Sequence, residues 1–170
     1  MLYIISRFLT NLFYSFNYDI FYISKSISMS AKRSFNQYLW NIGKQIEDEL
    51  LPKINTAFDC EFERSDDIFD IIDFKDETKK KAVEVKGRRN THDKYPTTII
   101  TCGKLTEALM KVECGWDVYF FFVFTDKTMY IKVDKDNCEW DVKLTGTNHI
   151  PHYLIPIKEL TEFDENNFSC

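Results

Sequence analysis

Two acidic residues and a lysine recur at a spacing that could bring them together on a β-hairpin. Asp70 lies in one apolar segment, and Glu84 and Lys86 lie in a second, beyond a polar turn. If the turn is centred near Glu77, Asp70 lies opposite Glu84, and residues paired in this way share one face. Lys86 follows Glu84 by two positions and therefore lies on the same face. Asp73 has the opposite parity and is predicted to lie on the other face.

This set of side chains has the chemistry of a metal site. Two carboxylates on paired strands lie about 5 Å apart and repel each other unless a cation lies between them. Magnesium, or manganese in its place, prefers hard oxygen ligands, and the backbone carbonyl of Val85 offers one more. A metal ion, two acids and an amine are what phosphodiester hydrolysis requires. The same spacing also fits a solvated face on which Lys86 is only a surface counter-ion.

The residues around this hairpin resemble the motif of the PD-(D/E)xK nuclease superfamily. That motif has an Asp on one strand and hydrophobic-Glu-hydrophobic-Lys on the next, as in Asp70 and Ala82-Val-Glu-Val-Lys86. The segment Gly43-Lys-Gln-Ile-Glu47 is similar to the Gly-x-x-x-Glu of Holliday-junction resolvases in this superfamily. The sequence departs from the family pattern before the Asp, where Ile68-Phe69 replaces the usual Leu-Pro.

The resemblance implies a metal-dependent nuclease, resolvase-like or restriction-like, that hydrolyses phosphodiester bonds of nucleic acid. DNA is the expected substrate. Glu47, Asp70 and Glu84 would then be the catalytic acids and the ligands of Mg²⁺ or Mn²⁺. The Val85 carbonyl would be a further ligand, and Lys86 would assist the attacking water. A homodimer is also implied, because resolvases and many restriction enzymes act as dimers.

Basic and hydroxyl side chains after the motif are candidates for contacts with phosphate groups. Arg88 and Arg89 follow Lys86 and form a local positive strip, and such contacts position a nucleic acid without reading its bases. Many family members carry a Gln or Lys on a later helix that helps to hold the scissile phosphate. Lys104 is the candidate for this role, with Thr97 on an earlier turn of the same predicted helix. A solvated helix face is the alternative interpretation of Lys104.

The hydrophobic pattern predicts an alternation of helices and strands. A helix is predicted over 34–51, closed by Pro52, and a second begins near Pro96 and ends at Gly115. Strands are predicted over 58–62, 68–74, 81–86, 118–124 and 129–133, a polar irregular stretch over 134–148, and a short strand over 153–157. The order matches the core of the superfamily. The predicted fold class is therefore α/β, a single three-layer α/β/α domain with a central mixed sheet, restriction-endonuclease-like.

The composition and the N-terminal segment limit the function further. The chain has 170 residues and a net charge of −5, which argues against binding nucleic acid through bulk charge. Residues 1–28 are aromatic and apolar, but their uncharged run is too short to span a membrane. They are interpreted as an anchor, a packed extension or sequence upstream of the true start. The predicted domains are 1–28, the nuclease-like domain 29–162 and a tail, 163–170.

Five cysteines without a CxxC spacing predict free thiols in an intracellular protein, in cytoplasm or nucleus. Richness in Ile, Lys, Asn, Phe and Tyr is typical of an AT-rich genome such as that of a large virus. Two other functions remain open at this point. One is a catalytically inactive module that binds nucleic acid or a protein partner through the same fold. The other is a membrane-associated protein that uses residues 1–28.

Overall fold

The computed structural model describes residues 36–65, 72–136, 138–145 and 149–165. The elements follow in the order helix α1 (Gln37–Phe58), strands β1 (Glu63–Arg64), β2 (Phe74–Asp76), β3 (Lys81–Gly87) and β4 (Thr97–Thr101), helix α2 (Cys102–Glu113), and strands β5 (Asp117–Val123), β6 (Thr128–Lys132), β7 (Val142–Thr145), β8 (Ile150–Pro156) and β9 (Thr161–Glu162). A short 3-10 turn, Ile157–Glu159, separates the last two strands.

The strands of the described residues form two sheets. The larger has six strands in the order β1-β2-β3-β5-β6-β9, and the smaller has three in the order β4-β8-β7. Strands β3 and β5 are parallel and the other neighbours in the larger sheet are antiparallel, so this sheet is mixed. The connection from β3 to β5 passes through β4 and α2, as a crossover between parallel strands requires. The predicted central mixed sheet is therefore confirmed.

Helix α1 covers one face of the larger sheet. Its buried residues Leu50, Ile54 and Phe58 recur every four positions, which places them on one side of the helix. They pack with Val83 and Tyr119 and their neighbours in one apolar cluster. Val83 and Tyr119 have odd numbers in paired strands, so the odd positions of β3 and β5 share this face.

Helix α2 and the smaller sheet cover the opposite face. Leu105 and Ala108 of α2 pack in a second apolar cluster with Phe120 and Phe122 of β5 and with Ile155 of β8. The even positions of β3 and β5 therefore lie under α2. Helices on both faces of a mixed sheet give the three-layer architecture that the sequence predicts.

Helix α1 is longer than predicted, because Pro52 lies inside it and does not end it. A proline inside a helix costs about 3 kcal/mol, because it removes one hydrogen bond and its ring clashes with the carbonyl of the preceding turn. Continuing the helix buries Ile54 and Phe58, and burial of such side chains stabilises by about 1.5–3 kcal/mol each. The predicted strand over 58–62 is wrong for the same reason, since Phe58 ends the helix and only Glu63–Arg64 pairs as a strand.

The segment after Pro96 is a strand and not the start of a helix. Thr97–Thr101 is a run of β-branched residues, which favour extended backbone, and it pairs with β8. Helix α2 begins at Cys102, with Thr101 as its N-cap. Its predicted end is confirmed by Gly115, whose φ of 81° lies in the left-handed region. Strand β7 is a further difference, because it lies in the stretch predicted to be irregular.

Several other predictions concern the ends of the chain and its cysteines. Phe163, the first residue of the predicted tail, packs against Phe121 and Tyr130, and the predicted domain boundaries stay a prediction. Segments 1–28 and 166–170 lie outside the described residues. Within the described ranges, no helix is both long enough and apolar enough to cross a membrane. The cysteines there are free thiols.

Candidate active site

Glu84 is a fully buried acid at the centre of the larger sheet. It lies midway along β3, beside Phe120 of β5, and its side chain is 0% exposed. As an even position it belongs to the face covered by α2. An ionised carboxylate in such a place is costly unless cations lie next to it.

Two lysines provide those cations. Lys86 Nζ lies 2.6 Å from Glu84 Oε1, and Lys104 Nζ lies 2.6 Å from Glu84 Oε2. Lys86 is two positions along the same strand, as predicted, and Lys104 comes from the first turn of α2. Lys104 donates a hydrogen bond to Oε2, whereas Oε1 accepts no hydrogen bond of regular geometry from the described residues. Oε1 therefore keeps acceptor capacity although it is buried and ion-paired.

Asp73 is the second acid of the cluster. Phe74 pairs with Val83 in an antiparallel ladder. The same register therefore places Asp73, one residue earlier, opposite Glu84, one residue later. The Val85 N–H donates to Asp73 Oδ2 at 2.8 Å, and Lys104 Nζ lies 3.9 Å from Asp73 Oδ1. The predicted register, which paired position 70 with Glu84 and excluded Asp73 by parity, is wrong. Asp70 itself lies outside the described residues.

The charges of the cluster shift its ionisation. Burial, helped by the nearby charge of Asp73, raises the pKa of Glu84 to about 7 against the opposing effects of Lys86 and Lys104. Burial also lowers the pKa of Lys86, but the carboxylates of Glu84 and Asp73 outweigh this, so that the pKa of Lys86 is raised. Lys86 therefore stays protonated at neutral pH and can donate hydrogen bonds.

A dependence of stability on pH follows for the metal-free protein. The pKa of Glu84 rises from 4.5 to about 7 on folding, so the folded state holds this proton more tightly than the unfolded state does. The corresponding stability is fully present below pH 4.5 and is lost as the pH rises through about 7. We expect the melting temperature of wild type to fall relative to that of Glu84→Gln over this interval, measured with chelator present. A constant difference between the two proteins would contradict this.

Glu47, the predicted acid of the first helix, makes contacts elsewhere. Its carboxylate pairs with Arg64, and Lys44 Nζ lies 3.2 Å away. The preceding residue, Ile46, approaches the end of β3 so closely that a Cβ added to Gly87 would lie 2.5 Å from Ile46 Cδ1. Helix α1 thus reaches the strand that carries Glu84, but the described contacts of Glu47 do not include Glu84.

The predicted phosphate-binding residues lie in different settings. The Arg88 guanidinium contacts Thr98 Oγ1 at 2.9 Å and the Ile99 carbonyl, both in β4. Arg89 is exposed, as a phosphate contact must be. Thr97 is half-buried and lies on β4, opposite Pro156, not on a turn of the helix that carries Lys104.

A second group of possible metal ligands was missed by the sequence analysis. His92, Asp93 and Asp126 offer three ligand atoms within 4.8 Å of one another, and His92 Nδ1 lies 2.6 Å from Asp126 Oδ2. His92 and Asp126 are 34 positions apart, so their spacing carries no signal in the sequence. This group shares no residue with the cluster around Glu84.

The cluster of Asp73, Glu84, Lys86 and Lys104 has the donors that a hard divalent cation requires. Glu84 Oε1 is a buried carboxylate oxygen with acceptor capacity left, and Asp73 lies opposite on the paired strand. Oxygen ligands of this type suit magnesium or manganese. With two ammonium groups beside the acids, the arrangement could hold a metal ion and interact with an anion at the same point.

One of the comparisons with known proteins gives a match. A family model described as "Phage putative PDDEXK endonuclease" matches residues 36–148, a range that includes all four residues of the cluster. No curated protein and no solved structure matches the chain. The family description does not mention junction resolvases, so the closer likeness to them stays a prediction. From the family match and the three-layer mixed-sheet fold, the chain belongs to this family of phage PDDEXK endonucleases, within the PD-(D/E)xK nuclease superfamily.

Proposed function

We propose that the protein is a DNA endonuclease that depends on Mg²⁺ or Mn²⁺ held by Asp73 and Glu84. The observation that carries the proposal is the buried Glu84 carboxylate, bracketed by two lysines at 2.6 Å, with Asp73 opposite on the paired strand. A fold has no structural need for a fully buried carboxylate with three partly exposed charged groups beside it, and the net cost of burying such a carboxylate is high. Chemistry that uses both acids and amines accounts for the arrangement.

The residues that would hold the cation are Asp73, Glu84 and the Val85 carbonyl. The Val85 N–H fixes the Asp73 carboxylate through a 2.8 Å hydrogen bond, so that this acid is oriented before a metal binds. When bound, the cation would lower the pKa of a water molecule and neutralise charge on the phosphate. Glu47 remains a proposed accessory acid, and it would have to exchange its ion pair with Arg64 for this role.

The two lysines have proposed roles at the reacting phosphate. Lys86 lies on the same face of β3 as Glu84, and its ammonium can orient an attacking water or donate to a phosphate oxygen. Lys104 approaches from α2 and can donate to another phosphate oxygen, where it would offset charge that develops in the transition state. Both amines lie beside Glu84, one of the residues that would hold the cation, so each could also donate to an oxygen of a phosphate bound there.

DNA is the proposed substrate although the chain is acidic overall. Arg89 is exposed just beyond the strand that carries the cluster and supports a local contact with a phosphate backbone. Thr97 is a proposed further contact, through the exposed part of its side chain. Each such contact should appear in the salt dependence of DNA binding. The superfamily resemblance also implies a homodimer. Analytical ultracentrifugation of the same protein samples measures the oligomeric state.

Metal binding and cleavage together test the function. Purified full-length protein is incubated with branched, duplex and single-stranded DNA and with RNA, in Mg²⁺, Mn²⁺ or chelator. We expect DNA cleavage only with metal, and saturable Mn²⁺ binding by calorimetry that is lost in Glu84→Gln. Lys135→Ala is the control, because Lys135 is 62% exposed and pairs only loosely with Glu113. If wild type neither binds metal nor cleaves any substrate, the chain is an inactive binding module of the same fold.

A further inference from the structure

Arg88 has an environment that differs from that of a surface arginine. Its guanidinium carbon lies 5.3 Å from the centre of the Phe122 ring, and Phe122 is fully buried. Nε donates to Thr98 Oγ1 at 2.9 Å, and Nη2 donates to the Ile99 carbonyl. The Arg88 backbone N–H bonds the carbonyl of Val123 at 2.8 Å, which fixes the residue to the larger sheet. The side chain therefore joins two adjacent residues of β4 to the end of β3.

Strand β4 leads directly to the lysine of the active site. Its last residue, Thr101, caps α2, with Oγ1 accepting from the Lys104 N–H at 3.4 Å. Lys104 then places its ammonium 2.6 Å from Glu84 Oε2. Strand β4 pairs with β8 in the smaller sheet, so its place beside β3 does not come from a shared ladder of hydrogen bonds. Ile100 of β4 packs in the apolar core, and the hydrogen bonds of Arg88 add a direct link from β4 to the end of β3.

We propose that Arg88 is a positioning residue that sets Lys104 against Glu84 by fixing β4, the strand that leads into α2. The inference rests on the proposed nuclease site for its catalytic consequence, but not for the geometry itself. It replaces the role in phosphate binding that the sequence resemblance implies for Arg88. Two of the guanidinium nitrogens are engaged by β4, and the ring of Phe122 lies against the group, whereas the next residue, Arg89, is exposed. A lysine cannot reproduce the planar fork that reaches two acceptors on β4.

The geometry can be tested without any activity. In protein with ¹⁵N-labelled lysine side chains, the Lys104 ammonium signal is identified by its loss in Lys104→Met, and that of Lys86 by its loss in Lys86→Met. We expect Thr98→Val, which removes one acceptor of Arg88 and keeps the side-chain shape, to shift or broaden the Lys104 signal. Arg88→Lys should do the same. The Lys86 signal is expected to persist, because Lys86 shares a strand with Glu84 and does not depend on β4.

Cleavage kinetics test the catalytic consequence. We expect Arg88→Lys to lower kcat by about 10- to 100-fold and to leave KM for duplex DNA unchanged. This is the range for residues that orient the side chains of a metal site without touching the metal. In a Lys104→Met background the same substitution should lower kcat no further, since its effect passes through Lys104. A global loss of stability would lower kcat by the same factor in both backgrounds.

Several outcomes would overturn the inference. An unchanged Lys104 signal in both Thr98→Val and Arg88→Lys would show that β4 holds its place without Arg88. An increase in KM, together with a smaller salt dependence of DNA binding, would return Arg88 to a phosphate contact. If wild type does not cleave DNA, the proposed nuclease function fails, while the lysine signals still decide whether Arg88 positions Lys104.

Discussion

Asp73→Asn is expected to lower the rate of metal-dependent DNA cleavage by about 10²–10³-fold, the effect of removing one group that stabilises transition-state charge. The amide keeps the size of the side chain and can still accept the hydrogen bond from Val85, but it loses the negative charge that a cation needs. Mn²⁺ affinity should fall with it, which calorimetry measures. The melting temperature of Asp73→Asn in chelator should stay close to that of wild type. A loss of activity would then not result from unfolding.

Asp70→Asn is the matched variant for this experiment. Asp70 is the acid that the superfamily motif and the parity argument select, whereas the observed register sets Asp73 opposite Glu84. We expect Asp70→Asn to change the rate and the Mn²⁺ affinity much less than Asp73→Asn does. The reverse order of effects would identify Asp70 as the metal ligand and would contradict the assignment of Asp73.

Asp76→Ala is expected to destabilise the fold by about 3 kcal/mol, because it removes a buried charged acceptor together with its hydrogen bonds. Asp76 is 4% exposed and accepts hydrogen bonds from the Thr78 hydroxyl at 2.6 Å, the Lys79 N–H at 2.9 Å and the Glu61 N–H at 3.0 Å. These bonds hold the pKa of Asp76 well below its usual range. Urea unfolding at neutral pH measures the loss.

The pH dependence of this effect has a definite sign. Because folding lowers the pKa of Asp76, its contribution is complete above the ordinary value of 3.8 and is lost as the pH falls below it. The difference between wild type and Asp76→Ala should therefore shrink on acidification. Glu77→Ala is the control, because Glu77 is 67% exposed, and it should change stability by less than about 0.5 kcal/mol. Equal effects of the two substitutions would contradict the role of Asp76.

The same hydrogen bonds explain why the sequence could not predict the register of the hairpin. The alternation that places Glu84 and Lys86 on one face is local to one strand and could be read directly. The pairing of the two strands depends on where the turn closes, and Asp76 closes it by accepting from Lys79 while Lys80 takes a φ of 49°. The turn is thus centred between Thr78 and Lys79, not at Glu77. This shift places Asp73, and not Asp70, on the same face as Glu84.

The position of Lys104 is a second feature that the sequence could not predict. The apolar stripe of α2 predicts a helix and its buried side, but not which strand lies beneath a given turn. The resemblance predicts both Lys104 and Glu84 as site residues, but the sequence does not predict that the two side chains form an ion pair. Pro52 is a similar case, since local propensity predicts a break that burial of Ile54 and Phe58 overrides. Contacts distant in sequence decide all of these features.

The two acids of the site differ in how firmly the fold holds them. Glu84 lies in the middle of a seven-residue strand with neighbours on both sides, whereas Asp73 lies one residue before the three-residue strand β2. Short outer ribbons open locally more easily than central strands. Fraying of β2 would withdraw the Asp73 carboxylate while that of Glu84 stays fixed, so we expect the proposed cleavage activity to be lost reversibly on heating before the domain as a whole unfolds.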